Sequence, residues 1–174
     1  MATTWAIDPS HSEVTFKVKH LVISTVTGAF NTFEGSVTTQ NDDFDGAQAS
    51  FSLDVNSINT NSTDRDGHLK SGDFFDAEQY PKLTFSNGVL SKNGDSYTLQ
   101  GDLTIRDITK PITLDVELGG IAKDPWGNTK AGFEITGKIA RKEWGLNWNA
   151  PLETGGVLVG EEVKLALNIQ LAQQ

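Results

Sequence analysis

Apolar and polar residues alternate along most of this chain, so that nearly every second side chain is apolar. In segment 47–55, for example, the apolar positions are Ala49, Phe51, Leu53 and Val55. A period of two is typical of a β-strand that buries one face. The pattern recurs in five further segments, which are 12–19, 97–105, 111–118, 132–140 and 162–171.

Two more segments, 27–39 and 81–90, are strand-like but less regular. In the first, Phe30 and Phe33 fall on opposite faces of a strand, and a β-bulge would reconcile them. Residues that favour turns separate the segments at 41–46, 92–95 and 124–128. The pattern therefore predicts about eight strands, joined mostly as sequential hairpins.

Eight amphipathic antiparallel strands define an all-β fold, either a closed up-and-down barrel or a sandwich. The alternation alone does not choose between them. In a barrel, eight strands mark the size at which the interior is either filled by side chains or holds one ligand. Because the 174 residues show no linker-like change in composition, we expect one domain spanning 1–174.

Between residues 59 and 80 the period of two is lost. This segment predicts a short helix with Ser62 or Thr63 as its N-cap, followed by a second helical turn from Asp73. Its large apolar residues are Leu69, Phe74 and Phe75. Since full burial of each phenylalanine contributes about 1.5–3 kcal/mol, we expect them to cover an open end of the barrel. The segment could equally be a plug without a binding role.

The same segment contains residues that could ligate a metal, which are Asp64, Asp66, His68 and Asp73. A calcium loop, however, requires Gly at its sixth position and a closing Glu. Here Gly67 is fourth counted from Asp64. We therefore expect no metal site.

The charge balance, 14 Lys and Arg against 23 Asp and Glu, gives a net charge of −9. This charge opposes binding to nucleic acid and to anionic membranes. The apolar runs are far shorter than the ~18 residues of a membrane helix, so we expect no stable membrane insertion. The amino-terminal sequence lacks the pattern of a secretory leader, so a cytoplasmic protein is expected, or a periplasmic one if a leader was removed.

Motifs of common enzymes do not occur. The chain has no cysteine and no Gly-x-Ser-x-Gly motif, and Ser10, His11 and Ser12 are too close in sequence to form a catalytic triad by themselves. Gly155, Gly156 and Gly160 match neither a dinucleotide-binding nor a phosphate-loop pattern. We expect a protein without catalytic activity.

Several segments, in this order and spacing, resemble the YceI-like family nearly end to end. They include WAIDPSHSEVTFKVKHL, DRDGHLKSGDFFDAEQYPKLTF, GDLTIRDITKPITL and GGVLVGEEVKLALNIQL. The resemblance implies a lipocalin-like, eight-stranded antiparallel barrel whose apolar tunnel holds a polyisoprenoid or a similar long-chain amphiphile. It also implies a homodimer. Two departures are Asp107, where the family commonly has Gly, and Trp144, where it commonly has Phe; the bulk of Trp144 could shorten the tunnel.

The candidate ligand-binding residues fall into three groups. Those expected to line the tail are Val14, Phe16, Val18, Phe30, Phe51, Leu53, Phe85, Leu99, Leu103, Phe133, Ile135, Leu165 and Leu167. Those expected at the lid and mouth are Leu69, Phe74, Phe75, Trp144 and Trp148. The head-group candidates are Asp66, His68, Arg65 and Arg106. Each apolar member could also be plain core, and each histidine a structural residue.

The sequence thus leads to one functional hypothesis and one rival. The hypothesis is non-enzymatic binding, sequestration or transport of a long-chain isoprenoid-type lipid, such as a polyisoprenoid, a quinone or its precursor. No cofactor is expected other than the bound lipid, and no nucleic-acid partner. The rival is a ligand-free structural or stress-related interaction protein with a filled barrel core.

Overall fold

A computed structural model describes residues 2–41, 43–150 and 158–174. Eleven strands and one α-helix lie within these ranges. The strands are β1 (Thr3–Ile7), β2 (Glu13–His20), β3 (Ser24–Phe30), β4 (Phe33–Thr39), β5 (Gln48–Asp54), β6 (Ile58–Asn59), β7 (Lys82–Asn93), β8 (Ser96–Ile105), β9 (Ile108–Lys123), β10 (Thr129–Ala140) and β11 (Val159–Gln173). The helix is α1 (Thr63–Lys70), and 3-10 turns occupy Pro9–His11, Val55–Ser57 and Arg141–Trp144.

The strands form one closed antiparallel ring with eight positions. Hydrogen bonds join β1, β4, β5, β7, β8, β9, β10 and β11 in that order, and the ring closes where Trp5 of β1 pairs with Gln173 of β11. The remaining strands are β2, β3 and β6. Strand β2 pairs with β11, β3 pairs with β2, and β6 pairs with β3, so these three strands continue the same sheet beside β11. The predicted eight-stranded, lipocalin-like, up-and-down barrel is confirmed, and the sandwich is excluded.

A sharp turn at residues 8–12 separates β1 from β2, although both strands pair with β11. The Asp8 carboxylate accepts hydrogen bonds from the backbone N–H of Ser10 (3.1 Å) and from its hydroxyl (2.7 Å). Its second oxygen lies 2.9 Å from Nδ1 of His11. These contacts, first with Ser10 and then with His11, hold the pKa of Asp8 well below its usual range. The ionised carboxylate therefore stabilises the turn.

Residues 27–39 do not form the single bulged strand that their sequence predicts. Two strands, β3 and β4, replace it, and Asn31 and Thr32 lie between them. The N–H of Asn31 donates to the carbonyl of Ser57 (3.2 Å), so the chain bends toward the neighbouring strand position. Phe30 and Phe33 are both buried because this two-residue break restores the inward orientation of the second ring.

The interruption at 59–80 contains the predicted helix, α1. The Ser62 side chain caps it by accepting a hydrogen bond from the N–H of Arg65 (3.3 Å). The second helical turn predicted from Asp73 is wrong, since residues 72–79 form non-helical turns. Backbone hydrogen bonds hold these turns against the helix, for example from the N–H of Ala77 to the carbonyl of Lys70 (2.8 Å).

The barrel has two structurally different ends. At the lid end lie α1, the turns at 71–81, the 3-10 turn Arg141–Trp144 and the β2–β3 hairpin. At the floor end the β4–β5 connection places Phe44 inside the barrel, where it is 1% exposed. Its ring centroid lies 5.3 Å from that of Trp5 and 4.9 Å from that of Phe133. Among the described segments, no helix is both long and apolar enough to cross a bilayer.

Candidate ligand-binding cavity

The barrel is hollow. An inner cavity of about 160 Å³ lies between the strands, and apart from Thr15, Ser36 and Ser50 its described lining residues are all apolar. An outer cavity of about 490 Å³ lies at the lid end. The two share six lining residues, which are Phe16, Phe30, Leu83, Ile105, Ile139 and Leu165. The two cavities therefore adjoin, and the one at the lid end is the larger.

The residues predicted to line the tail surround this space. All except Val18 line the inner cavity, and Val18 lines the outer one. The twelve inner residues are Val14, Phe16, Phe30, Phe51, Leu53, Phe85, Leu99, Leu103, Phe133, Ile135, Leu165 and Leu167. They share the cavity because inward-facing positions of neighbouring strands lie in register, as Phe16 and Leu165 do. Their contact with a ligand stays a prediction.

An aromatic cluster stands at the mouth. The ring of His68 lies edge-on to Trp148 at 4.6 Å and to Phe74 at 5.1 Å between centroids. Phe75 packs edge-on against Phe30 at 5.9 Å, inside the barrel. The outer cavity is lined by His68, Leu69, Phe74, Phe75 and Trp148. The sequence predicts the last four at the lid and mouth, and His68 as a head-group candidate at the same end.

Trp144 does not lie at the mouth. It is 1% exposed, lines neither cavity, and donates its Nε1–H to the carbonyl of Leu103 (2.9 Å). The expectation that its bulk shortens the tunnel is wrong because the indole fills space behind the wall. The indole is part of the buried core beside the 3-10 turn Arg141–Trp144.

Of the four head-group candidates, only Arg65 and His68 line the outer cavity. Asp66 is placed elsewhere, since its carboxylate accepts hydrogen bonds from the backbone N–H (2.9 Å) and hydroxyl (2.6 Å) of Thr60. Arg106 is also outside the cavity lining, and its guanidinium lies 5.9 Å from the ring centroid of Tyr80. Both residues are used in structural contacts, so the structure does not bring them to the mouth.

A further cation, Arg141, lines the outer cavity, although no motif in the sequence marks it as a candidate. It is 3% exposed, and it donates to four backbone carbonyls, those of Gly160, Leu146, Trp148 and Val159, at 2.5–3.3 Å. Burial lowers its pKa, while the charge of Glu161 opposes that shift. Among the described residues, no carboxylate lies within 4 Å of its nitrogens.

The mouth is therefore locally positive on an acidic protein. Its lining contains the cations Lys19, Arg65 and Arg141, together with two histidines, His20 and His68. The only acidic residue in the described lining is Asp64. Since charges act most strongly where low-dielectric walls exclude water, this arrangement favours a ligand whose polar end is anionic or rich in acceptor oxygens.

Glycines on the inner wall keep the barrel hollow, and sequence reasoning missed them. A Cβ on Gly28 would lie 2.3 Å from the Phe16 ring, and one on Gly101 would lie 2.4 Å from the Phe85 ring. The large rings therefore lie flat across strands that present no side chain there, which leaves the central space open. Glycine at inward-facing strand positions is the sequence signal, because it often marks a close approach.

The described residues include no group of three His, Asp or Glu side chains arranged to hold a metal ion. The Asp8, Ser10 and His11 cluster also lacks triad geometry. A triad uses one imidazole nitrogen for the acid and the other for the nucleophile, whereas Nδ1 of His11 faces both Asp8 (2.9 Å) and Ser10 (3.1 Å). Its contacts are those of a turn cap.

The fold and the cavity together define a class of protein, the hollow lipocalin-like barrel with an apolar interior. The YceI-like domain family matches residues 5–171, so this chain belongs to the YceI-like family. It is 39% identical over 171 residues to a UPF0312 protein of Staphylococcus aureus, with 98% of each chain covered.

Solved structures show the same fold. BcnA of Burkholderia cenocepacia has a TM-score of 0.78 at 22% identity, with 94% of this chain and 98% of that chain covered. A YceI protein of Campylobacter jejuni has a TM-score of 0.68 at 29% identity, with 91% of both chains covered. A polyisoprenoid-binding domain from Saccharophagus degradans has a TM-score of 0.69 at 15% identity, with 98% of both chains covered.

Proposed function

We propose that this protein binds the hydrocarbon tail of a long-chain isoprenoid-type lipid, such as a polyisoprenoid, a quinone or its precursor, and sequesters or carries it without chemical change. The observation that carries this proposal is the apolar cavity inside the barrel, which adjoins a larger cavity at the lid end. The structurally similar domain from Saccharophagus degradans, described as polyisoprenoid-binding, supports the same class of ligand.

The energetics of such binding come mainly from the tail. Each buried CH₂ group contributes about 0.8 kcal/mol, so about 12 such groups contribute roughly 10 kcal/mol before the costs of ordering and association. Because the inner lining offers almost no polar group, it can distinguish tails by length and shape but hardly by chemistry. Chemical selectivity would therefore belong to the mouth.

The residues at the mouth favour a ligand whose head group carries acceptor oxygens. A guanidinium has five N–H donors, and Arg141 uses four of them on backbone carbonyls. Arg141 and Arg65 both line the outer cavity, and Arg65 also donates to Thr60. A head group placed there would receive charge-assisted hydrogen bonds, which are stronger than those between neutral groups.

Native mass spectrometry of protein recovered from its own host tests this function. We expect an added mass that disappears after extraction with organic solvent and that fractionates as an isoprenoid-type lipid. In a second assay, long-chain lipid should displace an apolar dye from the extracted protein. Repeated absence of any lipid together with no dye displacement would contradict the proposal and favour the ligand-free rival. The same spectrum gives the number of subunits, for which a homodimer stays a prediction.

A further inference from the structure

The tip of the β2–β3 hairpin exposes three consecutive aliphatic side chains. Leu21, Val22 and Ile23 are 40%, 62% and 86% exposed. Single exposed apolar residues are ordinary on protein surfaces, but a continuous exposed apolar patch marks an interaction site. The tip therefore requires an explanation beyond folding.

The backbone at this tip is also unfavourable for the residues it carries. Leu21 and Val22 have φ angles of +56° and +67°, in the left-handed region. This region suits Gly and Asn, which hairpin turns normally use, and is costly for a β-branched residue such as Val. Strain of this kind clusters at functional sites. The sequence keeps aliphatic side chains here against both solvent and backbone preference.

The tip stands directly beside the mouth of the cavity. The two arms of the hairpin contribute Val18, Lys19, His20 and Val26 to the lining of the outer cavity. The N–H of Leu21 donates to the carbonyl of Leu158 (2.8 Å), and Leu158 lines the same cavity. Whatever the tip contacts would therefore lie against the opening.

Behind the tip, the outer face of the barrel carries lysines that face one another. Lys17 of β2 pairs in register with Lys164 of β11, and Lys164 pairs with Lys138 of β10. All three are exposed, and like charges in directly opposite positions destabilise a sheet. Glu162 lies 4.0 Å from Lys138. No described carboxylate lies within 4 Å of the side-chain nitrogens of Lys17 or Lys164.

We propose that this hairpin tip docks peripherally on an anionic lipid bilayer, with the aliphatic side chains in the interfacial layer and the lysines against lipid phosphates. At about 3.3 Å per residue, Lys19 lies roughly 7 Å along the strand from Leu21, at the level of the headgroup layer. Lys17 lies roughly 13 Å from Leu21, which leaves it within about one Debye length of the charged surface. An apolar face backed by basic residues is the combination that binds such surfaces. The whole protein has a net charge of −9, so the surface away from these lysines is repelled. This repulsion orients the mouth toward the lipid.

Co-sedimentation with vesicles of phosphatidylcholine, with and without phosphatidylglycerol, tests the docking. We expect the unmodified protein to bind the anionic vesicles more tightly, and added salt to reduce the difference. The triple variant Leu21→Asn, Val22→Gly, Ile23→Ser should lower binding about tenfold or more, because the buried apolar area is lost. Its melting temperature should be unchanged or higher, since Asn and Gly tolerate positive φ.

The apolar substitutions and a second set of lysine substitutions each have a control at the floor end. Trp126→Ser removes a side chain that is 83% exposed at the floor end, and should leave vesicle binding unchanged. The pair Lys17→Ser and Lys164→Ser should weaken binding about tenfold on anionic vesicles only, whereas Lys123→Ser, at the floor end of β9, should not. Binding of the triple variant equal to that of the unmodified protein would overturn the proposal. So would no binding to either vesicle, or a loss caused by Trp126→Ser.

The membrane docking rests on the proposed lipid binding only for its biological purpose. Experiments can contradict either proposal without contradicting the other. If the protein contains an extractable lipid but binds neither type of vesicle, only the docking proposal is contradicted. Protein that binds vesicles through the tip but never contains a lipid would overturn the proposed function alone.

Discussion

Because Gly101 has no side chain, the Phe85 ring can lie against the barrel wall at this position. The Phe85 ring crosses the strand at this glycine, and a Cβ there would lie 2.4 and 2.9 Å from two of its ring carbons. No such contact is sustainable, so a larger residue would turn the ring toward the central space. At the residue scale, glycines on the inner wall therefore keep the central space open, because they leave room for the rings of Phe16 and Phe85.

Gly101→Ala should lower the affinity for an apolar dye or lipid and destabilise the fold by about 1–3 kcal/mol, as other overpacked cores do. Dye titration and urea unfolding measure the two effects. Gly132→Ala is the matched control, because a Cβ at Gly132 meets nothing within 4 Å. Adding Phe85→Leu to Gly101→Ala should restore binding. Unchanged dye affinity in Gly101→Ala would show that the ring does not border the occupied space.

His68 combines an aromatic ring, packed between Trp148 and Phe74, with a nitrogen 2.9 Å from the carboxylate of Asp73. His68→Phe keeps the ring and removes the nitrogens. If His68 contacts the head group, the unmodified protein should discriminate between lipids that share a tail but differ in head group. The His68→Phe variant should bind the same lipids with more similar affinities. Competition binding between such a pair measures the change, with His20→Phe as the comparison at the same mouth. Unchanged selectivity would limit His68 to packing.

At the scale of elements, regular alternation was sufficient to locate most of the long strands. Segment 132–140, for example, lies within β10. Strand β1 was not predicted because its five residues are too short to establish a period. The break at Asn31 and Thr32 was also not predicted, because it depends on a hydrogen bond to Ser57, which is distant in sequence. Local pattern identifies elements, whereas their interruptions depend on neighbours in the ring.

The turn between β1 and β2 should make stability depend on pH. The pKa of Asp8 is lowered in the folded protein, chiefly by hydrogen bonds from Ser10 and then by His11. Its contribution is therefore fully present above the unfolded pKa of about 4, and is lost as pH falls through the lower folded pKa. Asp8→Asn should cost about 1 kcal/mol at neutral pH, as other lost caps do, and less below pH ~3.

Urea unfolding at both pH values measures this difference. Asp107→Asn, which removes an equal charge from the exposed turn between β8 and β9, is the control and should show no such change. An equal effect of Asp8→Asn at both pH values would contradict the role of the ionised carboxylate.

At the scale of the whole molecule, composition and alternation could not decide between a hollow and a filled barrel. That outcome depends on how large side chains lie over glycines, and on Phe44, which closes the floor from within a predicted turn. The mouth was only partly predicted. Arg65 and His68 line it, but Arg141 reaches it from a 3-10 turn after β10, and such convergence arises only when the ring closes.

Phe44→Ala tests the role of the floor. Removing a ring that is 1% exposed should destabilise the protein by about 3–5 kcal/mol and extend the central space downward. In competition binding with a series of isoprenoid alcohols of increasing length, the preferred length should therefore increase. Phe44→Leu, which fills most of the same volume, should shift the preference less. An unchanged length preference would show that the floor does not limit the tail.

Phe44 and Trp5 pack against each other at the floor end, so among the described residues the opening at the lid end is the entrance available to a ligand. Its greasy part would have to go in first and come out last, so uptake and discharge could not proceed at the same moment. If the proposed function holds, this arrangement would suit a carrier that receives its ligand from one partner and later delivers it to another through the same opening.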